Sequence, residues 1–285
     1  MKYANNFVDE KFSKILEPNL FTDTVLIPDI TFNAQYQGDA NAGMVQIYKE
    51  TKGSKADPQT PAGLFNHADT ANTLISVALN NAYRKSKRIY QVTANSCAYD
   101  KAEANLALAV NENKENRQYS ALACLINEGT EKTLTSTKMT DKAIELRKAI
   151  RSNHAKANVV FASIDAFAEM LSEAGEKYTP TLNDKIISTG QVGQYLGMTW
   201  FEVDSFDVPD AVYYDYSGTK RTVNLSGIEL VIYDSSAFHI IDNLSMMRLI
   251  DSENFTGVLA QNEINTGFRI SNSDKVAFSK TTQSL

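Results

Sequence analysis

Residues 36–92 set the strongest limit on what this chain can fold into. Two β-rich limbs, "AGMVQIYKE" and "TLISVAL" followed by "SKRIYQV", flank the polar, turn-rich tip "TKGSKADPQTPAG", which reads as a long hairpin. Limbs of about 15 to 20 residues would reach roughly 50 to 60 Å, further than a domain of this size is wide. A two-stranded ribbon is only marginally stable in water, so one this long has to lie on something else. The competing reading is a helix over "DTANTLISVALNNAYRK", capped at Asp69.

The flanking text differs in kind. Residues 1–35 carry scattered aromatics with two interrupting prolines, and read as an arm rather than a compact unit. From Ser96, "SCAYDKAEANLALAVNENKENRQYSALACLINEG" has high helix propensity, a serine N-cap and Gly129 as a stop. A continuous helix there would be about 45 Å long. Its middle, "NENKENRQ", has no apolar residue, so the helix either breaks there or runs exposed between two packed ends.

After the linker "TLTSTKMT" the pattern alternates between helix and strand. "TDKAIELRKAIRSN" is an amphipathic helix with Ala143, Leu146 and Ile150 on one face, and "NVVFAS" is a short buried strand. "SIDAFAEMLSEAG" is a helix with Ser163 as cap and Gly175 as stop. Next come the glycine-spaced "GQVGQYLG", the strands "MTWFEV" and "GIELVIYD", and the one-turn apolar piece "SSAFHII". From Leu244 the text is again β-rich.

Candidate chemistry thins out on inspection. Gly190, Gly193 and Gly197 are spaced G-x-x-G-x-x-x-G and precede a strand, with no closing lysine or serine. A phosphate-cradling loop needs the opposite order, strand then glycines then helix. The glycines therefore read as shape residues: Gly190 ends a helical turn, Gly193 opens a short turn and Gly197 closes it. His67, His154 and His239 lie far apart, and Cys97 and Cys124 form neither a metal knuckle nor a disulfide framework. Asp204 and Asp207 read as solvated loop charges. The dense basic run "KSKRIY" at 85–90, preceded by Arg84, suits a protected sheet edge, an acidic neighbour or nucleic acid. A formal charge of −6 argues against a dedicated sequence-reading nucleic-acid binder. The start "MKYANNFVDEKF" has no apolar run of signal-peptide type, and no window reads as membrane-spanning. Neither a catalytic constellation nor a cofactor or metal site emerges, so the expectation is a structural protein rather than an enzyme.

The order of parts resembles the major capsid protein of tailed bacteriophages, whose fold is shared with herpesvirus capsid floors and encapsulins. "AGMVQIYKE" looks like the first limb of that family's extended loop, and "NVVFASIDAFAEML" like its strand-then-helix. "STGQVGQYLGMTWFEVDSFDVPDA" is similar to its glycine-spaced segment. "IELVIYDSSAFHIIDNLSMMRLIDSENFTGVLAQNEINTGFRISNSDKV" looks like its closing section, with Arg248 and paired strands around Gly257 and Gly267. The resemblance implies an α+β fold: an N-terminal arm (1–35), an extended loop (36–92), a peripheral-domain spine helix (93–132), a compact α/β axial domain (133–243) and peripheral strands (244–285).

It further implies a subunit that assembles into pentamers and hexamers of an icosahedral shell around double-stranded DNA. Such a subunit is made in the bacterial host cytoplasm and ends in the virion, with a separate scaffolding protein, a portal and decoration proteins as partners. Met44, Val45 and Ile47 of the loop, and Phe7, Phe12 and Phe21 of the arm, are expected to be buried only by neighbouring subunits. Lys52, Lys55, Arg84, Lys87 and Arg88 join the phenylalanines as intersubunit contacts. Lys49, Lys52 and Lys55 match no crosslinking pattern, so no autocatalysis is expected. The alternatives are an encapsulin-like compartment and, from another class, a cytosolic nucleotide-binding α/β enzyme built on residues 140–240.

Overall fold

A computed structural model describes residues 25–35, 43–50, 72–90, 98–177, 191–251, 253–254 and 257–281. Two sheets organise it. A six-stranded sheet has the order β4-β13-β10-β5-β7-β6, from β4 (Thr130–Glu131), β5 (Val159–Ser163), β6 (Gln191–Tyr195), β7 (Met198–Val203), β10 (Ile228–Tyr233) and β13 (Val276–Lys280). A three-stranded antiparallel sheet has the order β11-β12-β3, from β11 (Phe238–Asp251), β12 (Gly257–Ile270) and β3 (Asn81–Tyr90). The segment from Leu244 onward is shared between them, because β13 inserts between β4 and β10 of the larger sheet.

The "NVVFAS" strand is central and apolar on both faces, as a strand covered on both sides must be. Val160 and Ala162 point toward α2 (Met139–Ser152) and α3 (Ile164–Lys177), which bring Met139, Ala143, Leu146, Ile150, Phe167 and Met170 onto that face. Val159 and Phe161 point the other way, into a core closed by residues 121–126 of α1 (Ala98–Glu128). Phe161 there meets Phe201 and Tyr233 edge-on, with ring centroids 5.9 and 5.3 Å apart. Ser163 Oγ accepts the backbone N–H of Ala166 at 3.3 Å, capping α3. The helix does not stop at Gly175 but runs on to Lys177.

The long helix α1 has 31 residues and does not break in its polar middle. Nor does that middle stand free in water. It lies along β12 and β3, where Asn113 and Gln118 are buried and hydrogen-bonded. Only glycine fits just past the end of α1: a Cβ on Gly129 would lie 2.5 Å from the Leu125 carbonyl oxygen and 2.9 Å from Val276.

The competing helix over 69–85 is not formed. β1 (Met44–Glu50) and β2 (Asn72–Ala78) pair antiparallel, from Met44 opposite Ala78 to Glu50 opposite Asn72, and the chain passes directly into β3. β-branched residues at Val45, Ile47, Ile75 and Val77 favour this pairing over a helix. The hairpin base does not depend wholly on neighbours. Ile47 is buried against Val77 and Ile241 of the same chain, Val45 packs beside them, and Met44 and Leu74 are left half-exposed. A small antiparallel pair, β8 (Ala211–Tyr214) with β9 (Lys220–Val223), flanks the junction of the two sheets. The Asn81 side chain brackets it, accepting from Tyr214 N at 2.8 Å and donating to Tyr214 O at 3.0 Å.

Candidate functional site

The basic run lies on an edge strand, β3, and alternation divides its charges between two faces. Lys85 and Lys87 turn toward α1, and both pair with Glu112, Lys85 at 2.8 Å. Burial pushes the Glu112 carboxyl up, but hydrogen bonds from the two lysines outweigh it and hold the group below its usual value. On the opposite, open face Arg84 pairs with Glu263 at 2.9 Å, and Arg248 donates from Nε to Gln261 Oε1 at 2.8 Å. Arg88 is exposed on β3. An open cavity of about 320 Å³ on this face is lined by Arg84, Ser86, Met246, Arg248, Gln261 and Glu263. Thus Lys87 serves the fold, whereas Arg84 and Arg88 face outward.

A second polar centre, not anticipated from sequence, joins the end of α1 to β12 and to the β8–β9 connection. Glu128, the last residue of α1, accepts from Ile270 N at 2.9 Å and from Arg269 Nη1 at 3.2 Å. The Arg269 guanidinium stacks 3.7 Å from the centre of the Tyr216 ring. Burial raises the Glu128 carboxyl above its usual value, against the bonds from Ile270 and Arg269. Nearby, burial also works to raise Asp215, but donors from Ser217, Arg221 and Thr219 win and hold it at about 2. These groups line an open cavity of about 420 Å³. Both carboxylates are engaged by fixed donors, an arrangement that fastens loops together.

The glycine segment forms an antiparallel hairpin, β6 to β7. Leu196 and Gly197 sit at φ 54° and 70°, between paired Tyr195 and Met198. Two successive positive φ values make the two-residue hairpin turn whose twist matches the strands. Gly193 does not open a turn. It lies in β6, where the register slips by one residue between Gln191 and Gln194. A strand–turn–strand hairpin offers no helix N-terminus to a phosphate.

Phe7, Phe12, Phe21, Lys52, Lys55, Gly190, His67 and Cys97 lie outside the described residues. Cys124 is buried and its thiol pushed up by burial. Asp204 and Asp207 bound a 3-10 turn. Among the described residues no three His, Cys, Asp or Glu side chains gather as a metal site, and no helix is long and apolar enough to cross a membrane.

No family model matches the chain, and no curated relative matches it. Solved structures do. A structure from Mycobacterium phage Che8 matches with a TM-score of 0.65 at 14% identity, over 98% of this chain and 99% of that one. The capsid structure of the cyanophage P-SCSP1u matches with a TM-score of 0.68 at 10% identity, over 98% and 92%. The chain has the phage capsid fold. An empty gene-transfer-agent particle capsid, computed with C5 symmetry, is similar too, with a TM-score of 0.56 at 13% identity over 98% and 97%.

Proposed function

We propose that this chain is a shell subunit that self-assembles into pentamers and hexamers of an icosahedral capsid enclosing double-stranded DNA. The observation that carries the reading is the end-to-end correspondence with capsid structures, 98% of this chain on 92% of the cyanophage capsid chain. On this reading the six-stranded sheet with α2 and α3 belongs to the axial domain, and α1 with β3, β11 and β12 to the peripheral domain. The arm phenylalanines, Lys52, Lys55, Arg84 and Arg88 are the intersubunit candidates. A separate scaffolding protein, a portal and decoration proteins complete the particle, which the host cytoplasm supplies with newly made subunits. The net charge of −6 suits a wall around DNA rather than a reader of its sequence.

Electron microscopy of the expressed chain, alone and co-expressed with a scaffolding protein, tests this. Closed shells are expected, and a monomer under both conditions would end the reading.

A further inference from the structure

We infer that the helical layer of the six-stranded sheet carries a head-to-tail contact between copies of this chain, in which the exposed stripe of α3 receives the cationic end of α2 from the next subunit. This rests on the shell-subunit reading and adds to it a surface and a direction.

The stripe is unusual for a surface helix. Ala166, Phe167 and Met170 already fill the inward face of α3, so the helix has met the apolar requirement of its own sheet. Yet Ile164 and Leu171 remain 50% and 41% exposed on the outward side. They stand seven residues apart, two turns along one ridge, with exposed Ala168 between them. Asp165 and Glu169 run beside this ridge, exposed and without an ion-pair partner among the described residues.

The complement is on the neighbouring helix. Lys148 and Arg151 in the last turns of α2, and Lys156 just beyond, are exposed and likewise form no ion pair among the described residues. α2 lies over β10 and β13, and α3 over β5 with β10 and β7 to either side of it. The two patches are different surfaces of the same helical layer. Two different patches make a heterologous contact, the kind that closes into rings. A symmetric contact of α3 with α3 would set Asp165 and Glu169 against their own copies, a like-charge juxtaposition that opposes association. Each exposed ion pair contributes little by itself. Burial of Ile164 and Leu171 supplies the attraction, and the charges choose which face meets them.

The test uses the full chain in a Cys97→Ser background with Glu169→Cys and Arg151→Cys introduced together. A short bismaleimide should give a ladder of trimers and higher oligomers on a denaturing gel, whereas each single variant gives no more than dimers. Absence of the ladder from the double variant overturns the inference. A second arm replaces Asp165 and Glu169 by lysine, and separately Lys148 and Arg151 by glutamate. Either change should abolish the contact and their combination restore it, with circular dichroism showing that all three chains fold. Unchanged assembly in the single-patch variants, or no restoration in the combination, also overturns it. A ladder without closed shells would sink the shell reading alone, and closed shells without a ladder would sink this contact alone.

Discussion

Asn113 in the middle of α1 donates from Nδ2 to the Asn262 side-chain oxygen at 2.6 Å and to its backbone carbonyl at 3.1 Å. Asn262 in turn donates to the Met246 carbonyl at 3.1 Å. One relay of amides thus ties the helix to the central strand and that strand to its neighbour. Both asparagines are almost fully buried, so removing either leaves polar atoms dry and unmatched. Asn113→Ala should lower stability by about 2 kcal/mol, and the Asn113→Ala/Asn262→Ala pair by less than the sum of the singles. Urea unfolding of the unassembled chain measures this, and additive losses would mean that the two side chains act separately.

Two glycines should respond to substitution for different reasons. Gly197 has room, with Arg147 Nη2 at 3.6 Å from a built Cβ, but its φ of 70° strains an ordinary side chain. Gly197→Val should therefore cost about 1 to 2 kcal/mol, and Gly197→Asn clearly less, since asparagine tolerates the left-handed region. Gly267 lacks room instead. A Cβ there would lie 2.7 Å from the Ala78 carbonyl oxygen and 3.0 Å from Val77. Gly267→Ala should push β2 away from β12, at about 1 to 3 kcal/mol, and speed proteolysis in the β1–β2 hairpin. Equal tolerance of Val and Asn at 197, or an unaltered cleavage rate in Gly267→Ala, would contradict these assignments.

The sequence made some of this visible and hid the rest for identifiable reasons. Ala143, Leu146 and Ile150 announce their helix by spacing, and "VVFAS" announces a doubly covered strand, because apolar periodicity is a local property. The hydrogen-bonded role of "NENKENRQ" was illegible, because its partners Asn262 and Asp242 come from strands more than a hundred residues away. Gly193 and Gly197 looked like one turn because spacing alone does not separate a bulge from a hairpin loop. Glu128, Arg269 and Tyr216 carry no motif, and only the chain path brings them together. The α3 stripe lies within "SIDAFAEML" but is not legible there as a surface, since its exposure depends on which ridge the sheet already occupies.

Ile47 and Met44 separate what the hairpin base needs from its own chain and what is left for others. Ile47 is enclosed by Val77 and Ile241, whereas Met44 on the other face is 50% exposed. In the unassembled subunit Ile47→Ala should lower stability by about 2 kcal/mol or more through the cavity it leaves. Met44→Ser should change it by less than about 0.5 kcal/mol. Denaturant midpoints of the two variants decide the matter. Indifference to Ile47→Ala would return that residue to the neighbours' account.

His239 at the start of β11 makes stability depend on mild acid. Burial first, and then the nearby Lys275 charge, lower its pKa from 6.5 to about 4. Between these values the unfolded chain takes a proton that the folded chain refuses, so acid favours unfolding. The contribution is fully present above about pH 6.5 and is lost as the pH falls toward 4, reaching about 2 kcal/mol of loss at pH 5. Glu128 has the opposite sign, because its raised pKa lets the folded chain take its proton first. The comparison must therefore be made between chains that differ only at 239. His239→Asn, unfolded in urea at pH 7.5 and at pH 5, should lose about 2 kcal/mol less than the unaltered chain over that interval. Parallel losses in the two proteins would show that His239 already carries its proton in the folded state.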